Sequence, residues 1–302
     1  MIAGICAFWC NKVLDYEGNI IRPPSEAYSI ILQVTVGCSH NKCTFCGAYK
    51  NVRFRIKDAA SIQQDIIFAS RYCKNQKRVF LADGDALNIP TARLVEIFSS
   101  IRQNLPWVNR INLYGNAKSI LRKSVDELKR LKGLGLDRIY MGLESGHDPT
   151  LKNIGKGVNA EQMIEAAQKV RRAGLFLSVT VILGIAGSVL STLHARDTGR
   201  VLTKMQPNQI AALTLMLLKN TPLYNDFCSG SFLLPDQYML LEELKVLVES
   251  ICLERVQFQA NHASNYLPIS GRLQKDKERI LKVIDDGLNG RCHLKGEYQR
   301  AL

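Results

Sequence analysis

Apolar residues along the 302-residue chain fall into short blocks separated by stretches of a different rhythm. The blocks are SIILQVTV (29–36), RVFLA (78–82), RINLY (110–114), DRIYMGL (137–143), FLSVTVILG (176–184) and QIAALTLMLL (209–218). They are rich in β-branched and aromatic residues and nearly continuous in apolar character, as strands covered on both faces are. Between them apolar positions recur every three or four residues, which predicts helices over 58–72, 91–104, 124–135, 159–173 and 191–205. Boundary residues agree: Thr91 follows Pro90 as a cap, Ser124 stands three residues before Glu127, and Gly174 closes the fourth helix. Six strand–helix steps predict a parallel sheet clothed in helices. Periodicity leaves an open doubly wound sheet and a complete or partial barrel as alternatives. After residue 222 the rhythm changes. Two helices are expected at 236–252 and 274–288, joined by QANHASNYLPISGR. The expected organisation is an N-terminal segment (1–28), an α/β domain (29–225) and a C-terminal helical extension (226–302).

Small and polar residues punctuate the strand exits: Gly37-Cys38, Asp83-Gly84-Asp85, Gly115-Asn116, Glu144-Ser145-Gly146, Gly184-Ile185-Ala186-Gly187 and Asn220-Thr221-Pro222. Polar loops are ordinary. Glycines or acids at nearly every exit exceed that expectation. In a barrel such ends meet on one face, where sites are built, so one shared site is expected.

Composition narrows the classes. Hydrophobic residues make up 46% of the chain, which supports a large core and excludes a disordered protein. No apolar run reaches the ~18 residues of a membrane span. The start, MIAGICAFWC, lacks the basic opening and cleavage site of a signal peptide. A cytoplasmic protein is expected. Cys6, Cys10, Cys73, Cys228, Cys252 and Cys292 are scattered, and in a chain of this size they read as buried or incidental thiols. The formal charge is +13. It suits either a nucleic-acid partner or steering of an acidic protein or anionic substrate. Without an aromatic-rich basic ribbon or a nucleic-acid module, the second is favoured.

One stretch departs from this ordinary background. GCSHNKCTFC (37–46) places Cys38, Cys43 and Cys46 in a C-x4-C-x2-C spacing on a loop leaving a strand. Zinc would require His40 as a fourth ligand only two residues from Cys38, whereas structural zinc sites separate their ligand pairs more widely. An iron–sulfur cluster suits three thiolates better. A [4Fe–4S] cube usually takes four, so three leave one iron open to a small molecule.

With these cysteines, and with aromatic Phe45 between the last two, the chain resembles the radical S-adenosylmethionine (radical SAM) enzymes. Its first interval is one residue longer than their commonest C-x3-C-x2-C. The resemblance covers roughly residues 29–225 and implies a partial (β/α)6 TIM-like barrel. Asp83-Gly84-Asp85-Ala86 is similar to the family's Gly-Gly-Glu-Pro segment, which contacts the methionine amine, but lacks its first glycine and its proline. Gly142-Leu143-Glu144-Ser145-Gly146 resembles the ribose-contacting segment, with Glu144 towards the sugar hydroxyls. Lys156-Gly157 matches a Lys-Gly of several subgroups, Gly184-Ile185-Ala186-Gly187 a glycine motif near adenine, and Asn220-Thr221-Pro222-Leu223 a Gly-Thr-Pro-Leu segment.

The resemblance therefore implies a [4Fe–4S] cluster on the three cysteines. It implies S-adenosylmethionine as cofactor at Phe45, Asp83, Gly84, Asp85, Asn116, Glu144, Ser145, Lys156 and Gly184. Reductive cleavage would give a 5′-deoxyadenosyl radical that abstracts hydrogen from a substrate. With only about 28 residues before the first strand, it further implies a compact, stand-alone member without a cobalamin module. Tyr114, Asn116 and the stretch Asn261–Tyr266 are candidates to reach the substrate, with His262 as acid or base. An acidic flavodoxin or ferredoxin would supply the electron. The alternatives are a zinc- or cluster-bearing nucleic-acid-binding protein and a non-catalytic electron carrier or sensor.

Overall fold

A computed structural model describes residues 14–301; Cys6 and Cys10 lie outside the described residues. The chain falls into two compact units. The first comprises the chain up to Asn41, Ala48–Tyr140 and Arg172–Leu175; the second comprises Lys42–Gly47, Met141–Arg171 and Phe176 onward. This division runs through the interior of the expected α/β domain rather than along its ends.

In the first unit, β1 (Ile30–Gln33) is followed by a small hairpin of β2 (Thr35–Val36) and β3 (Arg55–Ile56). Then come α1 (Ala59–Tyr72), β4 (Arg78–Ala82), α2 (Thr91–Asn104), β5 (Arg110–Tyr114), α3 (Ala117–Arg122) and α4 (Val125–Gly133). Last is β6 (Leu136–Glu144), which continues into the second unit. Strands β1, β4, β5 and β6 pair in parallel in that order. Their apolar blocks form the core, with Val79, Phe80, Leu81 and Ala82 all fully buried. Burying a side chain the size of Phe80 contributes ~1.5–3 kcal/mol.

Local chemistry sets the helix starts. Asp58 caps α1 by accepting from Ser61 N at 2.8 Å. Ser124 and Glu127 form the expected capping box on α4. At α2 the expectation is corrected. The cap position is Pro90, and Thr91 is already helical, its hydroxyl donating to Glu127 instead.

The second unit carries the rest of β6, then α5 (Asp148–Asn153), α6 (Ala160–Arg172), β7 (Phe176–Leu183), α7 (Gly187–Met205), β8 (Gln209–Thr214) and α8 (Pro222–Cys228). It ends with α9 (Gln237–Ser250), β9 (Arg255–Ala260), β10 (Ile269–Gln274) and α10 (Lys277–Leu288). Strands β7, β8 and β9 are parallel, and β10 returns antiparallel to β9. The sheet order β1-β4-β5-β6-β7-β8 is that of a partial (β/α)6 TIM-like barrel, extended by β9 and β10. The C-terminal extension is thus not purely helical: both expected helices are there, with two sheet strands between them. These strands differ from the other blocks in pattern: RVQFQA alternates apolar and polar residues instead of running continuously apolar, and Gly271 interrupts the alternation in ISGRLQ. Among the described residues no helix is long and apolar enough to cross a membrane.

Candidate functional site: the cysteine loop and the strand exits

The first unit holds the loop as far as Asn41. Asp83 follows β4 with φ +76°, a left-handed value that, glycine apart, is met mostly in asparagine and aspartate. That turn aims its carboxylate back at the loop. Oδ2 accepts from Gln33 Nε2 at 2.9 Å and from Gly37 N at 3.0 Å, while Tyr49 Oη lies 3.5 Å from Oδ1. Asp85 is fully buried. Its Oδ2 accepts from Ser39 Oγ, from Asn116 Nδ2 at 2.7 Å and from Ser119 Oγ at 2.5 Å, and its Oδ1 takes Asn116 N at 3.1 Å. Burial pushes both carboxyls above their ordinary range, against the opposing pull of these bonds.

Gly84 lies between them at a close approach, since a Cβ there would come 2.7 Å from Cys38 Cβ. Asn116 also caps α3 through Ser119 N at 2.9 Å, and its Nδ2 reaches Ser39 Oγ at 3.0 Å. His40 Nδ1 lies 3.4 Å from Lys118 Nζ. A lysine ammonium beside that nitrogen is poor company for a zinc-bound imidazole. Tyr114 packs edge-on to Phe80 and Tyr140, at 5.1 and 5.9 Å, and burial raises its phenol.

The second unit holds the loop from Lys42 by other means. Thr44 N donates to Ile154 O at 2.9 Å, Leu223 N donates to Thr44 O at 3.0 Å, and Asn220 Nδ2 donates to Gly47 O at 2.9 Å. Phe45 packs against the buried cluster of Leu151, Ile154, Ile185, Leu215 and Leu223. Glu144 ends β6 with φ +63°, and Lys156 Nζ lies 2.9 Å from its Oε1. Gly142 makes room for this carboxylate, because a Cβ there would stand 2.0 Å from that oxygen. Ser145 is buried against His194, and Gly184 N donates to Glu243 at 2.7 Å. His262 Nδ1 lies 2.9 Å from Ser264 Oγ, and burial, then Lys295, lowers its pKa. Asn265 bonds to Thr214 Oγ1 and Ala212 O. The stretch expected to meet substrate is thus largely engaged within the chain.

Whether the loop suits a cluster can be judged from its donors. Cys38, Cys43 and Cys46 are partly buried thiols, and no described cysteine is in a disulfide. Thr44 Oγ1, between two of them in sequence, is buried without a hydrogen-bond partner among the described residues. A hydroxyl so placed is suited to donate to a thiolate or sulfide. Among the described residues no three His, Cys, Asp or Glu side chains are drawn together as for a metal ion. The thiols are supplied by one anchored loop without forming a closed shell, as soft donors fitting iron–sulfur ligation.

Sequence reasoning missed Gln33, Ser39, Ser119, His194 and Glu243. A signal existed for the last. Glu243 interrupts the apolar stripe of α9 between Leu240 and Leu247, and a charge in such a stripe implies a buried partner.

Comparison with known proteins settles the family. Residues 32–195, more than half of the chain, match the radical SAM superfamily. The chain belongs to the radical SAM superfamily. Among its relatives, 4′-phospho-dehydrooxetanocin synthase of Priestia megaterium is 25% identical over 173 residues, spanning 51% of this chain and 23% of its own length. The uncharacterized protein MJ0486 of Methanocaldococcus jannaschii is 23% identical, over 92% of this chain and 84% of its own length. The radical SAM methyltransferase TsrM of Kitasatospora setae shares the fold, with a TM-score of 0.56 at 16% identity over 74% of this chain and 45% of that one. The chain thus spans under half the length of two of these three.

Proposed function

We propose that this radical SAM protein is an enzyme that binds a [4Fe–4S] cluster through Cys38, Cys43 and Cys46 and cleaves S-adenosylmethionine reductively. The observation that carries this reading is the pair of anchors on one cysteine loop, side-chain carboxylates before Asn41 and backbone bonds after it. When bound, the cluster supplies the single electron that splits S-adenosylmethionine into methionine and a 5′-deoxyadenosyl radical, which abstracts hydrogen from a substrate carbon.

The chain's own residues hold and orient. Glu144 accepts the ribose hydroxyls through the carboxylate oxygen that Lys156 leaves open, while Lys156 holds the other oxygen in place. Phe45 and the Gly184 turn supply apolar and backbone surface for the nucleoside. Asp83, Asp85 and Asn116 act from behind, fixing the loop; their carboxylates are turned inward, so Gly84 presents backbone to the methionine moiety. An acidic one-electron donor such as a flavodoxin or ferredoxin suits the charge of +13, with Lys42, Lys50 and Arg53 flanking the cysteines in sequence.

The test is 5′-deoxyadenosine release from anaerobically reconstituted protein with dithionite and S-adenosylmethionine. Release that Cys43→Ala abolishes is expected. A full iron content with no release, even with cell extract added, would move the assignment to an electron carrier or sensor.

A further inference from the structure

The exits of β6 and β7 are joined by a buried polar chain. Ser145 Oγ lies 2.8 Å from His194 Nδ1, and His194 Nε2 lies 3.3 Å from Glu243 Oε1. That same oxygen accepts from Gly184 N at 2.7 Å, while Oε2 accepts from Ser191 Oγ. Relative exposure is 0% for Ser145, 2% for His194 and 1% for Glu243. His194 and Ser191 lie on α7; Glu243 comes from α9, in the region after residue 225.

Glu243, as a carboxylate, only accepts. Gly184 N–H and Ser191 O–H point at it, and His194 Nε2 stands 3.3 Å from its Oε1, within ion-pairing distance. His194 Nδ1 faces the Ser145 hydroxyl at the other end of the ring. Thr198 Oγ1 also lies 3.4 Å from His194 Nδ1, while its hydroxyl donates to His194 O at 2.6 Å and its oxygen takes Gly146 N–H at 2.8 Å. Ser145 Oγ in turn takes His147 N–H at 3.0 Å. Backbone amides on both strand exits are thereby fixed through one histidine and one carboxylate. The connectivity is that of a hydrolytic relay. However, the fully buried Ser145 cannot meet a substrate, so the chain orients backbone and does not react.

We propose that Glu243 and His194 are positioning residues for S-adenosylmethionine, holding the β6 exit that carries Glu144 and the β7 exit at Gly184. This rests on the reading that the chain binds S-adenosylmethionine. It makes the region after residue 225 part of the cofactor site's support. Glu144 is held in a left-handed conformation, which persists only where its surroundings over-determine it. Ser145, the next residue, is where the network grips.

Equilibrium dialysis of labelled S-adenosylmethionine against reconstituted wild type, Glu243→Gln and Ser145→Ala tests this, with iron per chain and thermal unfolding followed in parallel. Glu243→Gln keeps the shape but puts an amide nitrogen where an acceptor is required. About tenfold weaker binding is expected for it and about threefold for Ser145→Ala, with iron per chain unchanged and 5′-deoxyadenosine release restored at saturating S-adenosylmethionine. Wild-type affinity in both variants overturns the proposal. So does a loss of affinity that tracks loss of iron and of thermal stability, which marks a purely structural role. If Glu243→Gln does not fold, Ser145→Ala alone decides by the same criteria. An iron-replete wild type that fails to bind S-adenosylmethionine overturns the parent reading as well, a result seen without any variant.

Discussion

The two halves of the cysteine loop are held by different physics. Before Asn41 the anchors are buried carboxylates reaching across from β4, with Ser39, Asn116 and Ser119 converging on Asp85. After it they are backbone bonds to Ile154 and Leu223 and the packing of Phe45 on an apolar cluster. A buried carboxylate with several donors is directional and costly to disturb, because removing it leaves every donor unsatisfied. An apolar cluster is tolerant of shape and is disturbed in proportion to the volume lost. The first half should therefore respond to charge and pH, and the second to size.

The largest effect should come from Asp85→Ala. It strands the donors of half-buried Ser39 and Asn116 and of buried Ser119 and should cost ~3–5 kcal/mol, read by chemical denaturation, with poor iron retention after reconstitution. Unchanged stability would mean that Asp85 is not the anchor of the first half. Next is Leu223→Ala, expected to cost ~2–4 kcal/mol. Its backbone bond to Thr44 remains, so iron retention should fall less than in Asp85→Ala. If iron is lost equally in both variants, the distinction between the halves fails.

The smallest effect separates charge from bonding. Asp83→Asn can keep its oxygen where Oδ2 accepts from Gln33 and Gly37, so stability at pH 7 should change by less than about 1 kcal/mol. Its pH dependence has a sign. The carboxyl is raised above 3.8 in the folded chain, chiefly by burial, so between 3.8 and the raised value the folded state binds more protons than the unfolded one. The stability of wild type relative to Asp83→Asn should then fall as pH rises through that window and level off above it. A rise in denaturation free-energy difference over the same window would show that hydrogen bonding outweighs desolvation at this carboxylate.

Much of the architecture was legible in the sequence. Strands β4 and β5 appear where their apolar blocks lie, and the capping box of α4 is where Ser124 and Glu127 place it. These features are local, set by periodicity and by side chains three residues apart. Short elements such as α3, α5, β9 and β10 were not legible, because they lack apolar blocks like those of β4 and β5 and six residues are under two helical turns.

The sequence by itself determined the strand–helix alternation, the three thiols at their spacing and the acids and glycines at the strand exits. Only the tertiary structure decided which way those acids face. Asp83 and Asp85 turn inward to partners more than 30 residues away in sequence, and Ser145 joins Glu243 through His194 across nearly 100 residues. A carboxylate's environment, and hence its protonation and its role, is set by burial and by the donors the fold brings to it, and neither is written in the neighbouring residues.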